Sequence, residues 1–177
     1  MMVALYFGSF NPMHTGHMQI CRYLSEMSEI GQVRLVVSPQ NPLKGDSRYK
    51  SVSGRIKEVK KAAKKMGEKV AVSGIEYTLK RPLYTINTIR EIKKREPENS
   101  FILVIGADNL SIIEKWHQWE ELLKELPVWV YPRKGFDGEN LCIKYGTRFL
   151  DAPMIDISST EIREGEALGS DMSRFKV

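Results

Sequence analysis

Cysteine is scarce in this 177-residue chain, with Cys21 and Cys142 the only two. No CxxC pair can be drawn from them, and no Cys/His set has zinc-ligand spacing. A disulfide scaffold and a structural zinc site are both excluded as the basis of the fold. Cys21 shares an apolar helical stripe with Leu24 and Met27, so it reads as a core thiol. Such cysteine usage suits a reducing compartment, and the cytoplasm is the expected location. No apolar run approaches the roughly 18 residues of a membrane span. The opening MMVALYF has no basic stretch and too short an apolar run for a secretory signal. Internal repeats, low-complexity tracts and a composition shift that would mark a linker are also lacking. The expectation is a single domain over 1–177 with no membrane partner.

What is present is globular: 42% hydrophobic and 28% charged residues. The net charge of +5 is matched by one segment. It carries Arg55, Lys57, Lys60, Lys61, Lys64, Lys65 and Lys69 against Glu58 and Glu68. A nucleic-acid face is one reading of that segment. The other is an amphipathic helix with a solvated basic face, because Val52, Ile56, Val59, Ala63 and Met66 recur at three- and four-residue spacing. The second is favoured, and no nucleic-acid partner is expected.

Along the chain, short apolar runs alternate with polar turns and helical patterns. Strands are expected at 3–7, 33–37, 70–72, 101–105, 128–131 and 154–157. Helices are expected at 17–28, across the basic segment, at 85–95, across 110–126, and after 157. In the 110–126 pattern, Trp116, Trp119, Leu122 and Leu123 are the inward candidates. Trp119 and Trp129 are assigned to packing, and His117 to the surface. Alternating strands and helices indicate an α/β fold: a Rossmann-like parallel sheet with helices on both faces. Strands buried on both faces read as continuous apolar runs. The strand exits GSFNPMHTGH, SPQNPLK, GADN, PRKG and SSTEIR would then share the carboxyl edge of the sheet, where open α/β sheets bind ligands.

The first of these loops carries the most chemistry. Gly8 and Ser9 follow a strand directly, and a glycine lets phosphate approach the backbone. His14 and His17 open a helix whose N-terminus offers free N–H groups and a positive dipole. This is a constellation for phosphate, although neither GxxxxGK[ST] nor GxGxxG occurs.

GSFNPMHTGH resembles the (T/H)xGH signature of the nucleotidylyltransferase superfamily, in its HxGH form. Residues 157–163, ISSTEIR, resemble the superfamily's second signature, ISSTxIR. SPQNPLK, Pro82-Leu83-Tyr84-Thr85, Gly106-Ala107-Asp108 with Trp116 downstream, and Pro132-Arg133 are similar in order and spacing to bacterial nicotinate-nucleotide adenylyltransferases. The second-strand loop departs from that family, which commonly ends it Pro-Pro-His-Lys. Here Asn41-Pro42-Leu43-Lys44 has no histidine.

The resemblance implies adenylyl transfer from ATP to nicotinate mononucleotide, giving deamido-NAD and pyrophosphate in NAD biosynthesis. It implies His14 and His17 as the catalytic pair. Gly8, Ser9, Phe10, His17, Gly106, Asp108, Ser158, Ser159, Thr160 and Arg163 would bind ATP. Asn41, Lys44, Tyr84, Thr85, Trp116 and Arg133 would bind the mononucleotide, the last four lining the pyridine pocket. Lys44 could also add a phosphate contact. Thr85 can equally be read as the N-cap of its helix, and Asp108 as a loop turn. Mg²⁺ would be held mainly by the ATP phosphates, with no dedicated protein metal site. Alternatives are a related adenylyltransferase acting on nicotinamide mononucleotide or phosphopantetheine, or a non-catalytic nucleotide-binding module.

Overall fold

A computed structural model describes residues 1–39, 52–154 and 156–177, with the backbone alone at Val52 and Ser53. Six strands form one sheet: β1 (Met2–Gly8), β2 (Gln32–Val37), β3 (Val70–Ser73), β4 (Ser100–Gly106), β5 (Val128–Tyr131) and β6 (Arg148–Phe149). Their spatial order is β3-β2-β1-β4-β5-β6, and every pairing is parallel. The helices are α1 (Thr15–Glu26), α2 (Val52–Lys64), α3 (Thr85–Arg95), α4 (Ala107–Ser111), α5 (Trp119–Glu125), α6 (Gly138–Tyr145) and α7 (Ser159–Ala167). None of the described helices is long and apolar enough to cross a membrane.

Side chains alternate along each strand between two cores, as a period of two requires. Ala4, Tyr6, Ile102, Val104 and Trp129 face a cluster with Ile20, Leu24, Val59 and Ala63 from α1 and α2. Val3, Leu5, Leu103, Ile105, Val128 and Val130 face a second cluster with Ile86, Ile89, Leu110, Leu122 and Cys142 from α3 to α6. Both faces are thus covered by helices, which explains the continuous apolar runs in the sequence. The strand order reverses between β1 and β4, so the crevice opens beyond Gly8 and Gly106.

Several expectations change. GADN is not a loop, since α4 begins at Ala107 immediately after β4. The continuous helix across 110–126 is three pieces: α4, a 3₁₀ turn at Ile113–Lys115, and α5. Gln118, at φ +52°, breaks the helical path before α5. No strand forms among the described residues of 154–157. The place beside β5 is taken by Arg148 and Phe149, and Pro153 has no N–H to extend that ladder. The sequence reading also omits α6, which Asp137 caps and Gly146, at φ +69°, ends. On α2 the basic face is solvated at Lys57, Lys60, Lys61, Lys64 and Lys65. Arg55 instead turns inward and is 4% exposed.

Candidate active site

The two histidines of the first loop cap α1 reciprocally. His14 is the N-cap, and its Nδ1 accepts from the backbone N–H groups of Gly16 at 3.1 Å and His17 at 3.4 Å. His17 Nδ1 accepts in return from the His14 N–H at 3.1 Å. The rings stack with centroids 3.6 Å apart. Because each Nδ1 is an acceptor, the neutral ring carries its proton on Nε2. Burial, then the Arg133 charge, lowers the His14 pKa from 6.5 to about 4. Burial, then His14 and Arg133, holds His17 well below 6.5. At neutral pH the unliganded site therefore presents two uncharged Nε2–H donors.

Their surroundings form a small cleft of about 150 Å³, lined by Tyr6, His14, His17, Asp108, Tyr131, Arg133, Ile157, Ser158 and Ser159. Larger surface clefts occur beside Lys60 and Val72 and beside Asn140 and Phe149, but neither contains a histidine or arginine. Tyr6 and Tyr131 lie on strands flanking the crevice, with ring centroids 5.7 Å apart. Burial raises the Tyr6 phenol well above 10 and pushes Tyr131 up to about 12, so both stay neutral. Nothing in the sequence marks them as site residues, because they read as ordinary strand aromatics.

Arg133 moves from its expected place. It stands in the histidine cleft, its Nη1 donating to the Ile157 carbonyl at 3.3 Å. Its Nε is 3.8 Å from Asp108 Oδ2. The parallel register puts Tyr131 beside Gly106, so the exit of β5 lies next to the exit of β4. Asp108 sits in the first turn of α4, and its Oδ1 is buried with no hydrogen-bond partner. A Cβ at Gly106 would collide with that oxygen and approach the Tyr131 ring to 2.8 Å. Gly106 is therefore required by close packing at the cleft floor. Phe10, with φ +47°, buries its ring against Tyr6 and His17, at centroid distances of 5.6 and 4.9 Å. Its ring braces the histidines from the core side. Gly8 and Ser9 lie half-buried at the exit of β1.

The second signature closes the cleft from the other side. Ser158 caps α7, its Oγ accepting from the Glu161 N–H at 3.1 Å. Ser159 Oγ donates to the Pro12 carbonyl at 2.8 Å. Arg163 Nη1 donates to the Asn11 carbonyl, and Nη2 to Thr160 Oγ1 at 3.3 Å. Here Ser159 and Arg163 fasten α7 to the loop that carries His14, while Thr160 is exposed on the first turn.

Tyr84 and Thr85 open α3 and are not among the residues that line the histidine cleft. Tyr84, not Thr85, is the N-cap of α3, with no side chain capping the helix. The first N–H groups of α3 are left without intrahelical acceptors. The Tyr84 ring stacks on His117 with centroids 4.0 Å apart, a contact the sequence reading did not anticipate. Trp116 is half-buried against the second core. Asn41 and Lys44 lie outside the described residues.

The described residues contain no cluster of three or more His, Cys, Asp or Glu side chains able to hold a metal ion. One carboxylate with an unbonded oxygen, Asp108, stands at the cleft.

Comparison with known proteins agrees with this architecture. The cytidylyltransferase-like family matches residues 5–165. A probable nicotinate-nucleotide adenylyltransferase of Flavobacterium johnsoniae is 37% identical over 92% of this chain and 85% of its own length. One from Porphyromonas gingivalis is 38% identical over 97% of this chain and 87% of its own. In fold, the Plasmodium falciparum nicotinic acid mononucleotide adenylyltransferase complexed with APC superposes with a TM-score of 0.78. The two are 18% identical, and the match covers 99% of this chain and 90% of that one. The chain belongs to the cytidylyltransferase-like family.

Proposed function

We propose that this chain transfers the adenylyl group of ATP to nicotinate mononucleotide, releasing pyrophosphate and forming deamido-NAD, a step of NAD biosynthesis. The observation that carries this reading is the stacked His14–His17 pair at the N-terminus of α1, facing the same cleft as Arg133, Ser158 and Ser159. The full-length relatives named for this activity support the choice of acceptor.

In this reaction a 5′-phosphate oxygen of the mononucleotide attacks the α-phosphorus. The bond from that phosphorus to the bridging oxygen breaks, and pyrophosphate leaves with the electron pair. No protein nucleophile is needed, so catalysis rests on alignment and on stabilising the charge that develops. The Nε2–H donors of His14 and His17 and the positive end of α1 would hold the α-phosphate oxygens. Arg133 adds a fixed charge beside them. The start of α7, positioned by Ser159 and Arg163, would meet the leaving phosphates. Asp108, whose Oδ1 has no hydrogen-bond partner, would stand near Mg²⁺ carried on those phosphates, which would supply further charge neutralisation. Tyr84, Thr85 and Trp116 would receive the pyridine ring, and the uncapped start of α3 its carboxylate. Residues 1–177 would act as one domain. The buried, unpaired thiols of Cys21 and Cys142 suit the reducing cytoplasm. The test is product analysis: ATP and nicotinate mononucleotide should yield one deamido-NAD for each pyrophosphate, and ATP cleavage without that product would refute the reading.

A further inference from the structure

Behind the crevice, Glu76 is 5% exposed, inside a 3₁₀ turn at Ile75–Thr78. Its carboxylate accepts two short hydrogen bonds from opposite sides. Ser38 Oγ donates to Oε1 at 2.6 Å, and Thr88 Oγ1 donates to Oε2 at 2.6 Å. Ser38 follows the end of β2, and its backbone N–H donates to the Gly8 carbonyl at 2.8 Å. The inward-turned Arg55 also reaches the Ser38 carbonyl, through Nη1 at 3.4 Å. Thr88 lies in the first turn of α3, where its N–H donates to the Tyr84 carbonyl at 3.1 Å. An unbroken chain of bonds thus runs from Gly8, in the phosphate loop, to Tyr84, in the pyridine wall. Glu76 is its central link.

We propose that Glu76 is a positioning residue that fixes the mononucleotide wall relative to the phosphate loop. The role rests on the adenylyl-transfer reading. The acceptor's ring and its attacking phosphate bind to different elements, α3 and the β1–α1 loop. Only their separation sets the approach of that phosphate to the α-phosphorus, and α3 is uncapped by any side chain of its own. A buried carboxylate with two hydroxyl donors is a stiff tie, because charge-assisted bonds are shorter and stronger than neutral ones. A misplacement of about 1 Å in such a geometry costs on the order of 10²-fold in rate.

The test compares wild type with Glu76→Ala, Glu76→Gln, Thr88→Val, Thr88→Ser and Ser38→Ala, using two readouts. Amide hydrogen exchange reports the tie without reference to activity. In Glu76→Ala, residues 87–88, whose N–H groups donate to the Tyr84 carbonyl, should exchange roughly tenfold faster or more, while residues 16–20 of α1 should change less than about twofold. Steady-state kinetics should show KM for nicotinate mononucleotide raised on the order of tenfold and kcat lowered, with KM for ATP held within about twofold. Glu76→Gln, which keeps one acceptor, and Thr88→Ser, which keeps the hydroxyl, should recover most of the loss. If Glu76→Ala does not fold, Thr88→Val and Ser38→Ala each remove one donor and should move both readouts in the same direction. Unchanged exchange at 87–88, or an equal rise in both KM values, would overturn the proposal. A wild-type protein that makes no deamido-NAD would refute the adenylyl-transfer reading instead, and exchange alone would then decide the role of Glu76.

Discussion

Replacing His14 with Asn separates its capping role from its titration. Asn is among the best N-caps, so its side-chain oxygen can still accept from the N–H groups that His14 Nδ1 now serves. What disappears is a buried imidazole that resists protonation. In the unfolded chain His14 gains its proton near the ordinary 6.5, whereas in the folded protein it does so only at about 4. Between those values the unfolded state binds more protons, so folding stability falls as pH falls. The loss begins near pH 6.5 and is complete by about pH 4. At 1.36 kcal/mol per pKa unit, the interval amounts to about 3 kcal/mol as an upper value. That is a large share of the ~5–15 kcal/mol typical of a domain. Urea unfolding at steps from about pH 7 to about pH 4 would measure it. Wild type should lose up to about 3 kcal/mol more than His14→Asn across that window. His17 remains in both proteins; burial, the largest cause of its own lowered pKa, acts in both, while the smaller share due to His14 is lost in the variant. Parallel stability curves for the two proteins would refute the claim that His14 is held neutral by burial and Arg133.

The remaining predictions concern the site and the core. His17→Ala should lower kcat on the order of 10²–10³, the usual loss for one preorganised donor at developing charge; near-wild-type turnover would remove it from the catalytic pair. Arg163→Ala should raise KM for ATP and lower kcat, because its bond to the Asn11 carbonyl ties α7 to the loop that carries the histidines. Arg163→Lys should rescue only partly, since an ammonium cannot reproduce a planar fork, and initial rates over a range of ATP concentrations would check both. Ile20→Ala, at a fully buried position on α1, should cost about 2–5 kcal/mol in urea unfolding, with activity per folded molecule preserved.

The central strands β1, β2, β4 and β5 were legible because they are buried on both faces and flanked by Gly and Pro turns, whereas the short, partly exposed β6 was not. Runs such as residues 101–105 and 128–131 therefore stand out without a neighbour to compare them with. The histidine loop was legible because its chemistry is local: both rings and the start of the helix they cap lie within the four residues 14–17. The misreadings arise where distance in sequence matters. Periodicity persists across 110–126 although the backbone breaks at Gln118, since a 3₁₀ turn nearly preserves the spacing of apolar residues. The burial of the Phe10 ring has no local signal, because a positive φ turns it into the core against Tyr6 and His17. Arg133 was placed with Tyr84 and Trp116, but the register of β4 against β5 puts it beside the histidines. Glu76 gave no signal at all. A lone glutamate reads as solvated, and its burial depends on Ser38 and Thr88, which are 38 and 12 residues away.

The most direct test of the central claim is kcat/KM, by pyrophosphate release, for nicotinate mononucleotide against nicotinamide mononucleotide and phosphopantetheine at fixed ATP and Mg²⁺. On the proposed binding mode, the uncapped N-terminus of α3 would present donors to the pyridine substituent, and a helix start favours an anion. Charge-assisted hydrogen bonds contribute about 1.5–3 kcal/mol each, and each 1.4 kcal/mol is tenfold. The account therefore predicts a preference for the acid of roughly 10²-fold or more over the amide, and negligible turnover of phosphopantetheine. Equal values for acid and amide, or a faster reaction with phosphopantetheine, would contradict it.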